Sequence, residues 1–311
     1  AKGMKLLQLI HLSKSYGKIK ALNDLNLEVH AGEVFGLLGP NGAGKTTTIH
    51  LIAGLIKPDD GQIVYREQNA DLSIPDIKGS IGICYQENVH WTKLTPREQL
   101  SFLGSMYGME PRRIRERCQT LLDALELSDV AQRLAGKLSG GQQRRLNIAL
   151  ALIHDPELIV LDEPEAGLDP QSRVKVREFL RSLARSRTVI LTTHNMDEAE
   201  RMADRVAIID YGNLLVVDTP RGLMERIGQG DVLEITLQNA PPTEINLDLS
   251  PQIDTMWVDD LLLIRGLDLV NRLPVILSRL QAHRLKAGEI RLRKNTLEDV
   301  FIQLTGRRLR E

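Results

Sequence analysis

Cysteine is scarce in this chain: Cys84 and Cys118 are the only two among 311 residues, and they stand far apart. That usage excludes a disulfide framework, offers no zinc-ligand spacing and suits a reducing cytoplasm. Long hydrophobic runs are missing as well. No apolar stretch approaches the roughly 18 residues that a membrane span requires, and the opening residues do not read as a signal peptide. Any membrane role is therefore expected to come through a partner. Neither charge sign is in excess: Lys and Arg number 40, Asp and Glu 41, for a net charge of −1. This argues against a dedicated nucleic-acid binder, whose domain is usually basic. Internal repeats and heptad runs are absent too. What remains is a chain long enough for an α/β core and a smaller domain. Ala1 to Met4 read as an expression remnant ahead of the natural start and are set aside.

The stretch from Gly39 to Thr48, GPNGAGKTTT, fits the phosphate-binding pattern G-x-x-x-x-G-K-[ST] at Gly39, Gly44, Lys45 and Thr46. Pro40, Asn41, Gly42 and Ala43 fill the loop, and Thr47 follows it. An apolar strand candidate, Glu33 to Leu38, runs just before it, and a helix candidate, Thr47 to Ala53, just after. Glycines let successive backbone N–H groups face one point, and the helix adds the positive end of its dipole there. Lys45 is expected to reach the β- and γ-phosphates of a nucleotide, and the Thr46 hydroxyl to bind Mg²⁺.

Further motifs follow in order. Leu138 to Gln142 reads LSGGQ. Leu158 to Pro164 is an apolar strand closed by the carboxylates Asp162 and Glu163. Gly167-Leu168-Asp169 comes next, and His194 follows the strand-like Thr188 to Thr193. Asp162 ends a buried strand, where open parallel sheets place ligands, and there it can hold Mg²⁺ directly or through water. Glu163, next along the strand, projects differently and can address a water near the γ-phosphate. Ser139 reads as a helix N-cap, and Gly140 and Gly141 permit close approach of an anion.

Taken together, these elements resemble the nucleotide-binding domain of the ABC ATPase family over about residues 4 to 228. The resemblance implies ATP as the nucleotide and Glu163 as the general base, with Mg²⁺, Lys45 and His194 stabilising charge. It makes His194 the switch histidine at the γ-phosphate. Gln86 would touch Mg²⁺ and the attacking water, while its loop senses a transmembrane partner; Tyr85 stands there where proline is common. Tyr16 would stack on adenine. Ser139, Gly140, Gly141, Gln142 and Asp169 would contact the ATP held by the other subunit, so a head-to-tail dimer with two ATP molecules is implied. Glu165-Ala166 departs from the family's small or hydroxyl pair and adds a negative charge close to the site.

The fold class expected is α/β: a P-loop NTPase core of the ABC ATPase type with an antiparallel β subdomain and a helical subdomain (about 87–156). A small α+β domain (229–311) completes it. Short strands are expected over Lys5 to Ile10, Lys18 to Lys20, Leu25 to Val29, Gln62 to Tyr65 and Ile81 to Cys84. Thr95, Pro96 and Glu98 form a capping box. Ile114, Cys118, Leu121, Leu122 and Leu125 make one helical stripe. A boundary is drawn near Gln229-Gly230. Beyond it come strands over Val232 to Leu237, Thr255 to Val258, Leu261 to Arg265 and Glu289 to Arg293. Helices cover Leu269 to His283 and Thr296 to Leu304. Thr296 to Gly306 resembles the tail of an exporter subfamily that includes daunorubicin-resistance-like and sodium-efflux-like ATPases. Arg307, Arg308 and Arg310 read as a solvated tail.

The function expected is an ATP-hydrolysing subunit of an ABC exporter, paired with an integral-membrane permease at the cytoplasmic face of the cell membrane. It would act as a homodimer or with a related ATPase subunit, and no nucleic acid is expected. Two alternatives are a soluble ABC ATPase working on nucleic acid or ribosomes, and a nucleotide-gated regulatory module. The single phosphate loop and balanced charge count against the first. Glu163 and His194 count against the second.

Overall fold

The computed structural model describes residues 4–66, 68–69, 79–87, 89–228, 230–239, 245, 247, 249–250 and 253–307. Gln229, Arg308 and Arg310 lie outside these. The chain divides into two compact units, Ala1–Asp218 and Thr219–Glu311. This boundary falls before the expected one at 228/229. The helix Pro220–Arg226 and the segment after it go with the second unit, where Arg265 donates to the Ile227 carbonyl (2.9 Å) and Asn295 to that of Gly228 (2.8 Å).

The first unit is organised by a six-stranded sheet. Its order is Asn213–Asp218, Arg205–Asp210, Val34–Leu38, Thr188–Thr193, Leu158–Asp162 and Ile81–Cys84, parallel except for the first. The inner strands are mostly apolar on both faces because a parallel sheet is covered on both sides. Leu158 and Val160 join one core with Leu9, Leu27, Ile49 and Ile52; Ile159 and Leu161 join the other with Ile148, Ala149 and Leu180. This is the period-two alternation of a strand, with both phases apolar.

A four-stranded antiparallel sheet, ordered Ile19–His30, Lys5–Tyr16, Asp60–Tyr65 and Gln68–Asn69, supplies the first of those cores. Its leading hairpin is longer than the three short pieces expected. Bulges interrupt the register between Leu9 and Lys14, and His11 and Asp24 adopt positive φ (51° and 54°). Each bulge breaks the alternation on which reading strands from sequence depends.

Helices Pro96–Met106, Pro111–Ala124 and Gly140–Leu152 form the helical portion. Thr95 and Glu98 make the expected capping box, and Ile114, Cys118, Leu121, Leu122 and Leu125 are buried. In the second unit an antiparallel sheet runs Asp254–Val258, Leu261–Gly266, Asp231–Leu237, Ala287–Lys294. Leu269, Ile276 and Leu280 of the Leu269–Ala282 helix pack with Leu233, Ile235, Leu262 and Ile264, while Ile302 of the Leu297–Thr305 helix packs with Val232, Leu261 and Leu263.

Candidate active site

Sheet register gathers the site. Val34–Leu38 lies between Thr188–Thr193 and Arg205–Asp210, with Leu38 opposite Thr193 and Asp162 opposite Thr192. The phosphate loop, the carboxylates and His194 therefore leave the sheet at the same carboxyl end. The loop is close-fitted. A Cβ on Gly39 would sit 2.2 Å from the Ile209 carbonyl, and one on Gly44, at φ 107°, 2.6 Å from that of Ala21. Gly44 caps the helix Lys45–Ile52 without any side-chain hydrogen bond to its first-turn N–H groups, which leaves that end suited to an anion.

Lys45 is buried, and its Nζ donates to the carbonyls of Gly39 (2.7 Å) and Pro40 (3.1 Å). Burial pulls its ammonium below the usual range; the charges of Glu163 and Asp162 work the other way. The Thr46 hydroxyl donates to Asp162 Oδ2 at 3.3 Å. Thr192 Oγ1 donates to Asp162 Oδ1 and accepts from the Glu163 N–H (3.1 Å). Glu163 is itself buried between two neighbours: Gln86 Nε2 donates to Oε2 (3.2 Å), and His194 Nδ1 lies 2.8 Å from Oε1.

Glu163 is expected next along the strand, but it does not continue it. The strand ends at Asp162, and Glu163 takes a left-handed backbone at φ 46°. Its N–H turns onto Thr192, which tilts the carboxylate toward Gln86 and His194. A non-glycine residue held there is strained, and such strain collects at functional sites.

Tyr16, Asn41, Gly42, Gly44, Lys45, Thr46, Thr47, Gln86 and Glu163 line one groove of about 340 Å³, the size of a small-molecule site, roughly 300–1,000 Å³. Tyr211 lines it as well and was not legible in the sequence, because it sits in an ordinary turn between strands. Thr46 and Asp162 bring hard oxygen donors together. Among the described residues, no three His, Cys, Asp or Glu form a metal cage. Mg²⁺ commonly uses one or two protein oxygens plus substrate phosphates and water, so the donor set fits that ion.

Ser139, Gly140, Gly141, Gln142 and Asp169 form a second group outside this groove. Ser139 caps the Gly140–Leu152 helix in a capping box with Gln142 (3.0 and 3.3 Å). Asp169 caps the Pro170–Leu183 helix through the N–H groups of Gln171 and Ser172. A Cβ on Gly141 would lie 3.8 Å from Asp169 Oδ2, so the two helix starts are neighbours. Ser139, Gly140 and Asp169 are exposed.

Sequence reasoning also missed Arg144. It is buried, and its guanidinium donates to the carbonyls of Tyr85, Gln86, Asp162, Glu163 and Pro164. It thereby ties the signature helix, the Gln86 loop and the carboxylate-bearing strand end together. Its position two residues past the LSGGQ stretch was the available signal.

These features define a P-loop ATPase of the cassette type. Residues 22–166 match the family described as ABC transporter. The linearmycin resistance ATP-binding protein of Bacillus subtilis (strain 168) is 35% identical over 311 residues, covering 98% of this chain and 100% of that protein. A Nod factor export ATP-binding protein of Sinorhizobium fredii is 37% identical over 98% of this chain and 87% of its own. A daunorubicin resistance ATP-binding protein of Streptomyces coeruleorubidus is 35% identical over 96% of this chain and 94% of its own. Among solved structures, a dimeric ATP-binding cassette bound to ADP and phosphate after hydrolysis is similar at a TM-score of 0.62 and 29% identity, covering 69% of this chain and 98% of that one. The chain belongs to the ATP-binding subunits of ABC transporters, of exporter type, and it hydrolyses ATP. Among the described residues, no helix is long and apolar enough to cross a membrane.

Proposed function

We propose that this chain hydrolyses ATP as a head-to-tail homodimer on the cytoplasmic face of the membrane and drives an integral-membrane permease in the direction of export. The observation that carries the chemistry is Glu163, buried and held between Gln86 and His194 beside Lys45 and Asp162. The loop amides and Lys45 bind the phosphates. Tyr16 and Tyr211 receive the base, which needs only π-faces to stack on. Thr46 and Asp162, with Gln86, would hold Mg²⁺, which when bound neutralises charge on the phosphate oxygens. Glu163 takes the proton of a water oriented by Gln86, and His194 faces the γ-phosphate. Positioning and electrostatics supply most of the acceleration. The partner's copy of Ser139 to Gln142 and of Asp169 covers each nucleotide, a reading supported by the exposure of Ser139, Gly140 and Asp169 outside the groove.

Beside Gln86 lies an apolar groove of about 350 Å³ whose lining includes Leu55, Ile83, Tyr85, Val89, Trp91 and Tyr107. Val89 and Leu55 are more than half exposed, and an apolar patch of this kind favours a protein contact. It suits a segment of the permease and would link closure around ATP to the membrane. Pull-down of the tagged chain from gently solubilised cells of its source tests this. Recovery of a polytopic membrane protein is the expected result. Ribosomes, nucleic acid or soluble partners alone would overturn the transport reading.

A further inference from the structure

The loop from Glu163 to Asp169 joins the end of the Leu158–Asp162 strand to the start of the Pro170–Leu183 helix. Its middle is turned inward. Glu165 is only 1% exposed, although Ala166 and Gly167 beside it are open to solvent. Arg177 of the helix grips both its oxygens, Nε to Oε1 at 3.2 Å and Nη2 to Oε2 at 3.0 Å. One turn earlier on the same helix, Arg173 Nε donates to the Leu168 carbonyl (3.0 Å). Residues four apart share a helix face, so both guanidinium groups hold the loop from one side. The backbone completes the hold. The Ala166 N–H donates to the Glu163 carbonyl (3.1 Å), and the Leu168 N–H to that of Glu165 (3.3 Å). The turn closed on Glu163 therefore runs straight into the turn closed on Glu165. A buried carboxylate is costly in a loop unless it is paired. An apolar side chain would fill the same space without that cost. The two-point fork supplies direction instead, because it matches one orientation of the carboxylate.

We infer that Glu165 and Arg177 are positioning residues for ATP hydrolysis: their bidentate ion pair anchors the loop after Glu163 to the Pro170–Leu183 helix and so fixes the direction of the Glu163 carboxylate. The inference rests on the reading of Glu163 as the base. Glu163 holds a left-handed backbone at φ 46°, and such a conformation persists only where its surroundings impose it. Its carbonyl is an anchor point of the first turn of the loop. Once Glu165 is released, that turn relaxes and Glu163 swings away from Gln86 and His194. The phosphate loop and Lys45 belong to other segments and keep their places. Turnover therefore falls while ATP binding holds.

The test is kcat and KM for ATP of the full chain, with thermal melting, for wild type, Arg177→Lys and the double variant Glu165→Leu with Arg177→Met. A lysine keeps the charge but lacks the planar fork. The double variant removes both charges together, an exchange that is often neutral or stabilising for a buried pair. Arg177→Lys is expected to lose kcat by about tenfold to a hundredfold, the scale of a small misplacement at a reacting centre, with KM unchanged. The double variant is expected to melt no lower than wild type and to show the same loss. A pair that served stability alone would leave this stable double variant at full kcat, which overturns the inference. Arg177→Lys at full kcat overturns it too, whether or not the double variant folds, and so does a loss that appears in KM rather than kcat. Glu163→Gln in the same series tests the base separately. Wild-type turnover by Glu163→Gln defeats the base reading; an inactive Glu163→Gln beside fully active pair variants defeats only the present inference.

Discussion

Replacing Glu163 by glutamine removes a proton acceptor while leaving its cage intact. One side-chain oxygen must continue to accept from Gln86 Nε2, now 3.2 Å away, because an amide nitrogen there would face another donor. The new amide group is thereby turned toward His194 Nδ1, 2.8 Å from the other oxygen, where a neutral imidazole accepts it. Volume, burial and the left-handed backbone are unchanged. What is lost is general-base capacity, which contributes about a hundredfold to ten-thousandfold in rate. Removing a carboxylate whose charge acts on Lys45 also relieves repulsion toward the anionic nucleotide, so ATP affinity holds or rises. Glu163→Gln is therefore expected to bind ATP, to lose phosphate release by at least about a hundredfold, and to accumulate an ATP-bound dimer. Steady-state phosphate release reads the first effect, and gel filtration with and without ATP reads the last. A mutant turning over at the wild-type rate would refute the base assignment. One that loses ATP binding in proportion would show that Glu163 serves the fold.

Lys45→Ala removes a buried cation from beside two carboxylates and is expected to weaken ATP binding by at least about tenfold, the scale of charged hydrogen bonds, as read by calorimetry. Ser139→Ala deletes the acceptor for the Gln142 N–H at a cost of about 1 kcal/mol to its helix. It should weaken the ATP-dependent dimer but not ATP binding by the monomer, and equal loss of both would contradict the cross-subunit assignment. Tyr16→Ala and Tyr211→Ala should each cost about 1 kcal/mol or more of ATP affinity by loss of stacking; an unchanged affinity in either removes that ring from the base site. Arg144→Met strands the carbonyls of Tyr85, Gln86, Asp162, Glu163 and Pro164 and is expected to cost about 3 kcal/mol or more in urea unfolding. Wild-type stability would show that those carbonyls are satisfied without it.

The candidate site residues that the structure brings together could be picked out in the sequence where they lie within a short contiguous pattern whose backbone geometry is local. Strand, glycine loop and helix start follow one another between Val34 and Ile52, and Thr95, Ser139 and Thr296 cap the helices their side chains foretell. What the sequence hid depends on partners far along the chain. The bulges at His11 and Asp24 arise from strand pairing, and the left-handed turn at Glu163 is held by Thr192. Arg144 reads as one more basic residue on a helix until the fold brings Tyr85 and Asp162 to it. The helix Pro220–Arg226 looks like the end of the first unit, but it packs against the Leu297–Thr305 helix, and Arg265 and Asn295 hold residues 227 and 228, so the segment goes with the second. Glu165 follows the same rule. In the sequence it is an added negative charge beside an anionic substrate. Folded, it is turned inward and held at both oxygens by Arg177. Its negative charge is therefore met by Arg177 inside the fold rather than presented to the γ-phosphate.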